Sequence, residues 1–169
     1  MTKKTLFPML IAITFNCYAE YSMTNSDCLI TNSFKEANTA TDNEKALVNN
    51  VVLNRVLLKK TNICKEVFAK NQFSWTKKKH RKFIFKDKYK MMEYYNIKYS
   101  NFRKLENIAT QSLLNYSGDL VSNKSSSALM YHDKSIKHFP RINKSKIKLV
   151  LKDKHFLFYK TNYLNLAQN

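Results

Sequence analysis

The sequence predicts an α+β domain that is mainly helical and carries a small antiparallel sheet. Three observations predict this class. Thr41-Asp-Asn-Glu44 reads as a capping box ahead of a long apolar-periodic run. Residues 105–114 show a second helical pattern. Residues 128–132 and 149–159 are strand-like segments around the polar stretch 133–147. The chain has 169 residues, 44% of them hydrophobic and 13% aromatic, which allows one domain with a real core and a short removable segment.

Taken in order, the N-terminus has Lys3 and Lys4, an apolar run from Leu6 to Phe15, and then Asn16-Cys17-Tyr18-Ala19. This is the layout of an export signal, with cleavage expected after Ala19, and the run is short for a membrane span. Phe15 and Asn16 before Cys17 do not suit a lipoprotein signal. Residues 20–27 are polar and read as a loose lead-in to a single domain over 28–169. Residues 29–37 suit a short helix, and the helix behind Thr41 runs to about Lys59. On that helix Leu47, Val51 and Leu58 share one side, with Val48, Val52 and Val56 adjoining. Asn54 falls on the apolar stripe and needs a hydrogen-bond partner there. Residues 76–104 are rich in Lys, Arg and Tyr and show little periodicity, and Ser117-Gly118-Asp119 reads as a turn.

The formal charge is +18, and loss of residues 1–19 would lower it by two, since Lys3 and Lys4 go and no acid does. Such an excess points to an anionic partner, such as an envelope polymer, a lipid surface or nucleic acid. The run Lys77-Lys78-Lys79-His80-Arg81-Lys82 is its densest part. Cys28 and Cys64 remain after signal removal and form a disulfide candidate in an exported chain, with two free thiols as the other reading. His80, His132, His138 and His155 have no metal-ligand spacing with them, so neither a metal nor a cofactor is expected.

Several segments together carry a resemblance. The run from Glu36-Ala37 through Val51-Val52-Leu53-Asn54-Arg55-Val56 resembles the signature of the spore-cortex-lytic type of cell-wall hydrolases, E-A-R-G-E followed by V-x-L-N-R-V, without a gap. Gln72-Phe73-Ser74-Trp75 matches that family's Q-F-S-W, and Ala128-Leu-Met-Tyr131-His132 is similar to its A-L-x-Y-H, with Pro140 following. His155-Phe-Leu-Phe158-Tyr159 resembles its closing H-x-F-Y with one extra residue. Members often carry cysteines where Cys28 and Cys64 stand. The sequence departs from the pattern at Asn38, Thr39, Ala40, Glu44 and Ser127, with Ala40 in place of a second glutamate and Thr39, Glu44 and Ser127 in place of glycines.

The resemblance implies a two-lobed, lysozyme-like fold and cleavage of the β-1,4 bond between muramic acid and glucosamine. Glu36 would be the catalytic acid, and partial burial near Phe34, Phe73 or Tyr131 would keep it protonated. Gln72, Ser74, Tyr131 and His132 take substrate-binding roles by family position, and Asn54, Arg55 and His155 supporting ones, with His155 anchoring the closing strand to the catalytic helix. One glutamate suffices if the muramic C6 hydroxyl acts as nucleophile, the route of a lytic transglycosylase; hydrolysis by water is the other route. The expected partner is the peptidoglycan glycan strand, with anionic envelope polymers also possible, no nucleic acid, no stable membrane span and a monomer. The rivals are a non-catalytic peptidoglycan binder and a basic exported protein that binds nucleic acid or lipid. The expected location is the periplasm or cell exterior.

Overall fold

The computed structural model describes residues 20–77, 83–117, 128–135 and 147–161. The expected export signal, the cationic residues 78–82, Gly118, Ser127, His138 and Pro140 lie outside the described residues. The described elements are β1 (Tyr21–Ser22), α1 (Asn25–Ala37), α2 (Asp42–Lys59), α3 (Ile63–Val67), a 3-10 turn (Ser74–Lys77), β2 (Ile84–Phe85), α4 (Lys88–Tyr95), α5 (Tyr99–Ser117), β3 (Met130–Asp133), β4 (Ile147–Lys152) and β5 (Phe156–Thr161). The class is α+β, helical in the main, with a small antiparallel sheet.

Two capping boxes start the first two helices. Before α2, the Thr41 hydroxyl accepts from the Glu44 amide at 3.2 Å while the Glu44 carboxylate accepts from the Thr41 amide at 3.1 Å. Before α1, Thr24 and Asp27 make the same reciprocal pair, and the Tyr21 hydroxyl donates to Asp27 at 2.6 Å. The expected lead-in over 20–27 is therefore a strand and a helix start. The Thr24-Asn-Ser-Asp27 pattern was legible by the same rule that located Thr41.

Helix α2 is central. It packs against α1, α3, α5 and β3, so its buried set (Leu47, Val48, Val51, Val52, Leu53, Val56) is wider than one stripe. Leu58 is only half-buried, and the left-handed Lys60 ends the helix. Helix α5 begins at Tyr99, six residues ahead of the expected start, because Phe102 extends the buried row of Leu105, Ala109 and Ser112. Residues 76–104, which show little periodicity as sequence, contain α4, capped by Asp87 and burying Met91, Met92 and Tyr95. Methionine and tyrosine among lysines make a weak apolar signal, and packing resolves it.

The main sheet has the order β3-β5-β4, all antiparallel. The segment 149–159 is thus two strands, split by a turn in which the Asp153 amide donates to the Phe156 carbonyl at 3.0 Å. Strand alternation puts Tyr131, Phe156 and Phe158 on one face and His132, Leu157 and Tyr159 on the other. A second, two-stranded sheet pairs β1 with β2.

Two apolar clusters result. The larger joins α1, α3, α4, α5 and the second half of α2, including Leu29, Val52, Phe68, Phe73, Met91 and Phe102. The smaller joins Ala37, Ala40 and the first half of α2 to Ala128, Phe156 and Phe158. Tyr131 packs against both. Cys28 and Cys64 form a disulfide with Cα atoms 5.3 Å apart, tying α1 to α3. Among the described residues no helix is long and apolar enough to cross a membrane.

Candidate active site

Glu36 lies one residue from the end of α1, where the chain leaves the larger cluster for the smaller. Both carboxylate oxygens accept hydrogen bonds. The Ser74 hydroxyl donates to Oε1 at 3.3 Å, and the Tyr131 hydroxyl donates to Oε2 at 3.0 Å. Three distant pieces of sequence therefore meet on one acid.

Each partner has its own support. Ser74 opens the 3-10 turn. The Thr76 hydroxyl closes that turn, accepting from the Phe73 amide at 3.0 Å and donating to the Phe73 carbonyl at 2.9 Å. The buried Phe73 ring stacks on Trp75, with ring centres 6.3 Å apart. Left-handed Asn71 precedes the turn, a conformation asparagine adopts more readily than most residues.

Tyr131 is positioned from α2. The Asn54 side-chain amide donates to the Ala128 carbonyl at 2.8 Å, and Arg55 Nε donates to the Leu129 carbonyl at 2.6 Å. Two consecutive side chains of α2 thereby grip the two peptides that lead into β3, and Tyr131 is the second residue of that strand. The partner required by Asn54 on its apolar stripe is that carbonyl. The Arg55 guanidinium also lies over the Phe73 ring at 5.6 Å. It thus touches the supports of both hydrogen bonds to Glu36.

Burial raises the Glu36 carboxyl above its ordinary value, and the hydrogen bonds from Tyr131 and Ser74 and the Arg55 charge oppose that rise without cancelling it. Burial, and then the Glu36 charge, hold the Tyr131 hydroxyl far above its usual range, so it remains a neutral donor. A carboxyl of this kind holds a proton closer to neutral pH than a surface glutamate does.

The other predicted residues are placed less directly. The Gln72 amide oxygen accepts from Lys59 at 3.4 Å, and Lys59 also bonds the buried Glu66 carboxylate at 3.1 Å. Gln72 is thereby drawn to the end of α2, a role its sequence position did not reveal. His132 is on the opposite sheet face from Tyr131, with Nε2 3.0 Å from the Tyr159 hydroxyl and Nδ1 2.7 Å from the Asp133 carbonyl. His155 does anchor the hairpin, but to α2 and not to the helix that carries Glu36: its Nδ1 lies 2.7 Å from Glu44 Oε2. The amides of His155 and Phe156 also donate to Glu44 Oε1. Glu44 thus caps α2 and docks the sheet with one carboxylate. Burial raises its pKa, but the His155 and Thr41 hydrogen bonds prevail and bring it down to about 2.

The departures at 38 and 39 cause no backbone strain. Asn38 is ordinary right-handed helix, and Thr39 is not among the left-handed residues, which are Lys60, Asn71 and Asn96. Ala40 is buried in the smaller cluster, and its carbonyl accepts from Lys45 at 2.7 Å. Asp42 is engaged by Lys104 at 2.9 Å. No group of three or more histidines, cysteines or carboxylates suited to a metal occurs among the described residues. The chain matches no protein-family model, no curated protein and no solved structure.

Proposed function

We propose that this chain is an exported peptidoglycan-cleaving enzyme in which Glu36 acts as the single general acid and base. The observation that carries the reading is the arrangement at Glu36: a buried-end carboxyl with a raised pKa, clamped between Ser74 and Tyr131. Ser74 is exposed and its bond to Oε1 is the longer of the two, so Oε1 is the oxygen that would present the proton to substrate. Tyr131 holds Oε2 and fixes the carboxyl plane.

The reaction follows as a transglycosylation. Glu36 protonates the bridging oxygen as the bond from muramic C1 breaks. The C6 hydroxyl of the same sugar attacks C1, and Glu36 accepts the proton that this hydroxyl gives up. A 1,6-anhydro end and a free 4-hydroxyl result, with the acid restored. A second carboxylate is not required, in keeping with the alanine at position 40 and the ion-paired state of Asp42. The two-lobed, lysozyme-like arrangement belongs to this proposal, with the sugar strand running where the two apolar clusters meet.

Digestion of purified sacculi followed by mass spectrometry tests the reading. Anhydro-ended muropeptides are expected from the parent chain and none from Glu36→Gln. Reducing ends would reassign the route to hydrolysis. Sacculi that bind the protein yet release nothing would make it a binding protein and end the enzymatic reading.

A further inference from the structure

A second patch, away from Glu36, has the make-up of a glycan-binding platform. Among the described residues seven large apolar or aromatic side chains are well exposed, and four of them come from one short stretch: Ile84 at 51%, Tyr89 at 68%, Tyr94 at 45% and Tyr99 at 57%. Concentration of this kind marks a contact surface more than scattered exposure does. Helix α4 explains how it arises. Met91, Met92 and Tyr95 face the core, which leaves Tyr89, Lys90, Glu93 and Tyr94 on the outer side. Tyr99, at the start of α5, brings its ring to 6.4 Å from that of Tyr89, with planes only 25° apart. The two exposed rings lie near-parallel, one stepped against the other.

An open pocket of about 430 Å³, lined by Phe85, Lys86, Lys90, Glu93 and Tyr94, adjoins Tyr89 along the chain through Lys90. Of the six cationic side chains in 83–104, Lys88 and Arg103 pair with Glu106 and Lys104 with Asp42, and Lys86 and Lys90 are the two that line the pocket. Lys90 is bonded to Glu93 at 2.6 Å, but both are well exposed, so an incoming carboxylate can share that lysine at little cost. Flat tyrosine faces take the C–H side of a pyranose, tyrosine hydroxyls reach its equatorial hydroxyls, and the lysines pair with acidic substituents.

We infer that Tyr89, Tyr99 and the Lys86–Lys90 pocket form an accessory site for a carboxylate-bearing glycan strand. The choice of a glycan over another anionic polymer rests partly on the function proposed for Glu36. The mixed charge of the pocket supports it too: Glu93 beside Lys86 and Lys90 suits a strand with an acid on every second sugar better than a polymer with a phosphate at every residue.

The test uses the full chain carrying Glu36→Gln, so that no probe is cut. Three probes are titrated: peptide-free strands of alternating N-acetylglucosamine and N-acetylmuramic acid, neutral chitohexaose, and a single-stranded DNA oligonucleotide. Tyr89→Ser combined with Tyr99→Ser is expected to weaken strand binding about tenfold, the loss of roughly one good aromatic contact. Its thermal midpoint should stay at the parental value, since both rings are exposed. Lys86→Gln should weaken binding of the acidic strands and leave chitohexaose unchanged. Strand affinity equal to the parent in the double variant, or a loss confined to the oligonucleotide, overturns the inference. The two proposals fail separately. A parent that cuts no sacculi but shows tyrosine-dependent strand binding loses only the Glu36 reading. A parent that cuts sacculi, with strand binding indifferent to the tyrosines, loses only the platform.

Discussion

The two apolar clusters are held by different means. The larger is built mainly from helices that satisfy their own backbones, and it carries a covalent long-range tie, between Cys28 and Cys64, beside the short β1–β2 pair. The smaller is a three-stranded sheet laid against α2. Its attachment runs through side chains that reach across the sequence: Asn54 and Arg55 to the approach to β3, 74 residues away, and Glu44 to the β4–β5 turn, 111 residues away. A helix closes its own backbone hydrogen bonds, whereas a small sheet needs a partner surface and satisfied edges. The difference places Glu36 at the seam: its helix belongs to the covalently fixed region, and its closer partner Tyr131 belongs to the side-chain-anchored one.

The largest expected effect lies at that seam. Glu36→Gln should lower sacculus cleavage by about a thousandfold or more, equivalent to roughly 4 kcal/mol of transition-state stabilisation. It should move the melting midpoint little, which a thermal scan beside the digestion assay would show. A large shift in midpoint would mean that the acid holds the seam together and is not spared for chemistry.

Removal of the disulfide strikes the helical region. Cys28→Ala with Cys64→Ala should cost about 4 kcal/mol in urea unfolding, from the loop the bridge closes. The anchored region is addressed by Glu44→Ala, which strips a cap and leaves two strand amides and His155 without their acceptor; about 3 kcal/mol is expected. If the two regions are as distinct as their fastenings, hydrogen exchange in Glu44→Ala should rise first in β4 and β5, with α1 and α3 still protected. Uniform loss of protection would break the comparison.

Acid offers a milder version of the same experiment. Glu44 has a folded pKa of about 2 against an ordinary 4.5, so its contribution is fully present above about pH 4.5 and is lost as pH falls through about 2. The loss should amount to roughly 3 kcal/mol. It should be absent from Glu44→Gln, whose stability would stay flatter across that window. The smallest effect is expected from Tyr131→Phe. The Tyr131 hydrogen bond lowers the Glu36 pKa, so its removal should raise it and extend the protonated acid to higher pH. The alkaline limb of the cleavage profile should therefore move upward, and an unmoved limb would separate Tyr131 from the acid. The stability change should be about 1 kcal/mol.

What could be read from residues alone were features whose cause is local. The Thr41–Glu44 cap, the run of α2 and the strand character near Tyr131 each depend on neighbours within a few positions. The Thr24–Asp27 cap was equally local and readable by the same rule. The grouping of Glu36, Ser74 and Tyr131 was readable as well, because each lies in a motif of the resembled pattern. Packing decided the rest. Helix α4 hides its apolar positions among lysines and tyrosines, and only burial shows which face is inner. Gln72 and His132 stand in the expected motifs, yet Lys59 and Tyr159 claim hydrogen bonds with them. Glu44 reads in sequence as a departure from the resembled pattern and is, in the folded chain, the acceptor that docks a sheet. Spacing along a chain determines what a segment can form. Which side chain meets which carbonyl a hundred residues away depends on the whole fold, because that contact exists only once both segments are already in place.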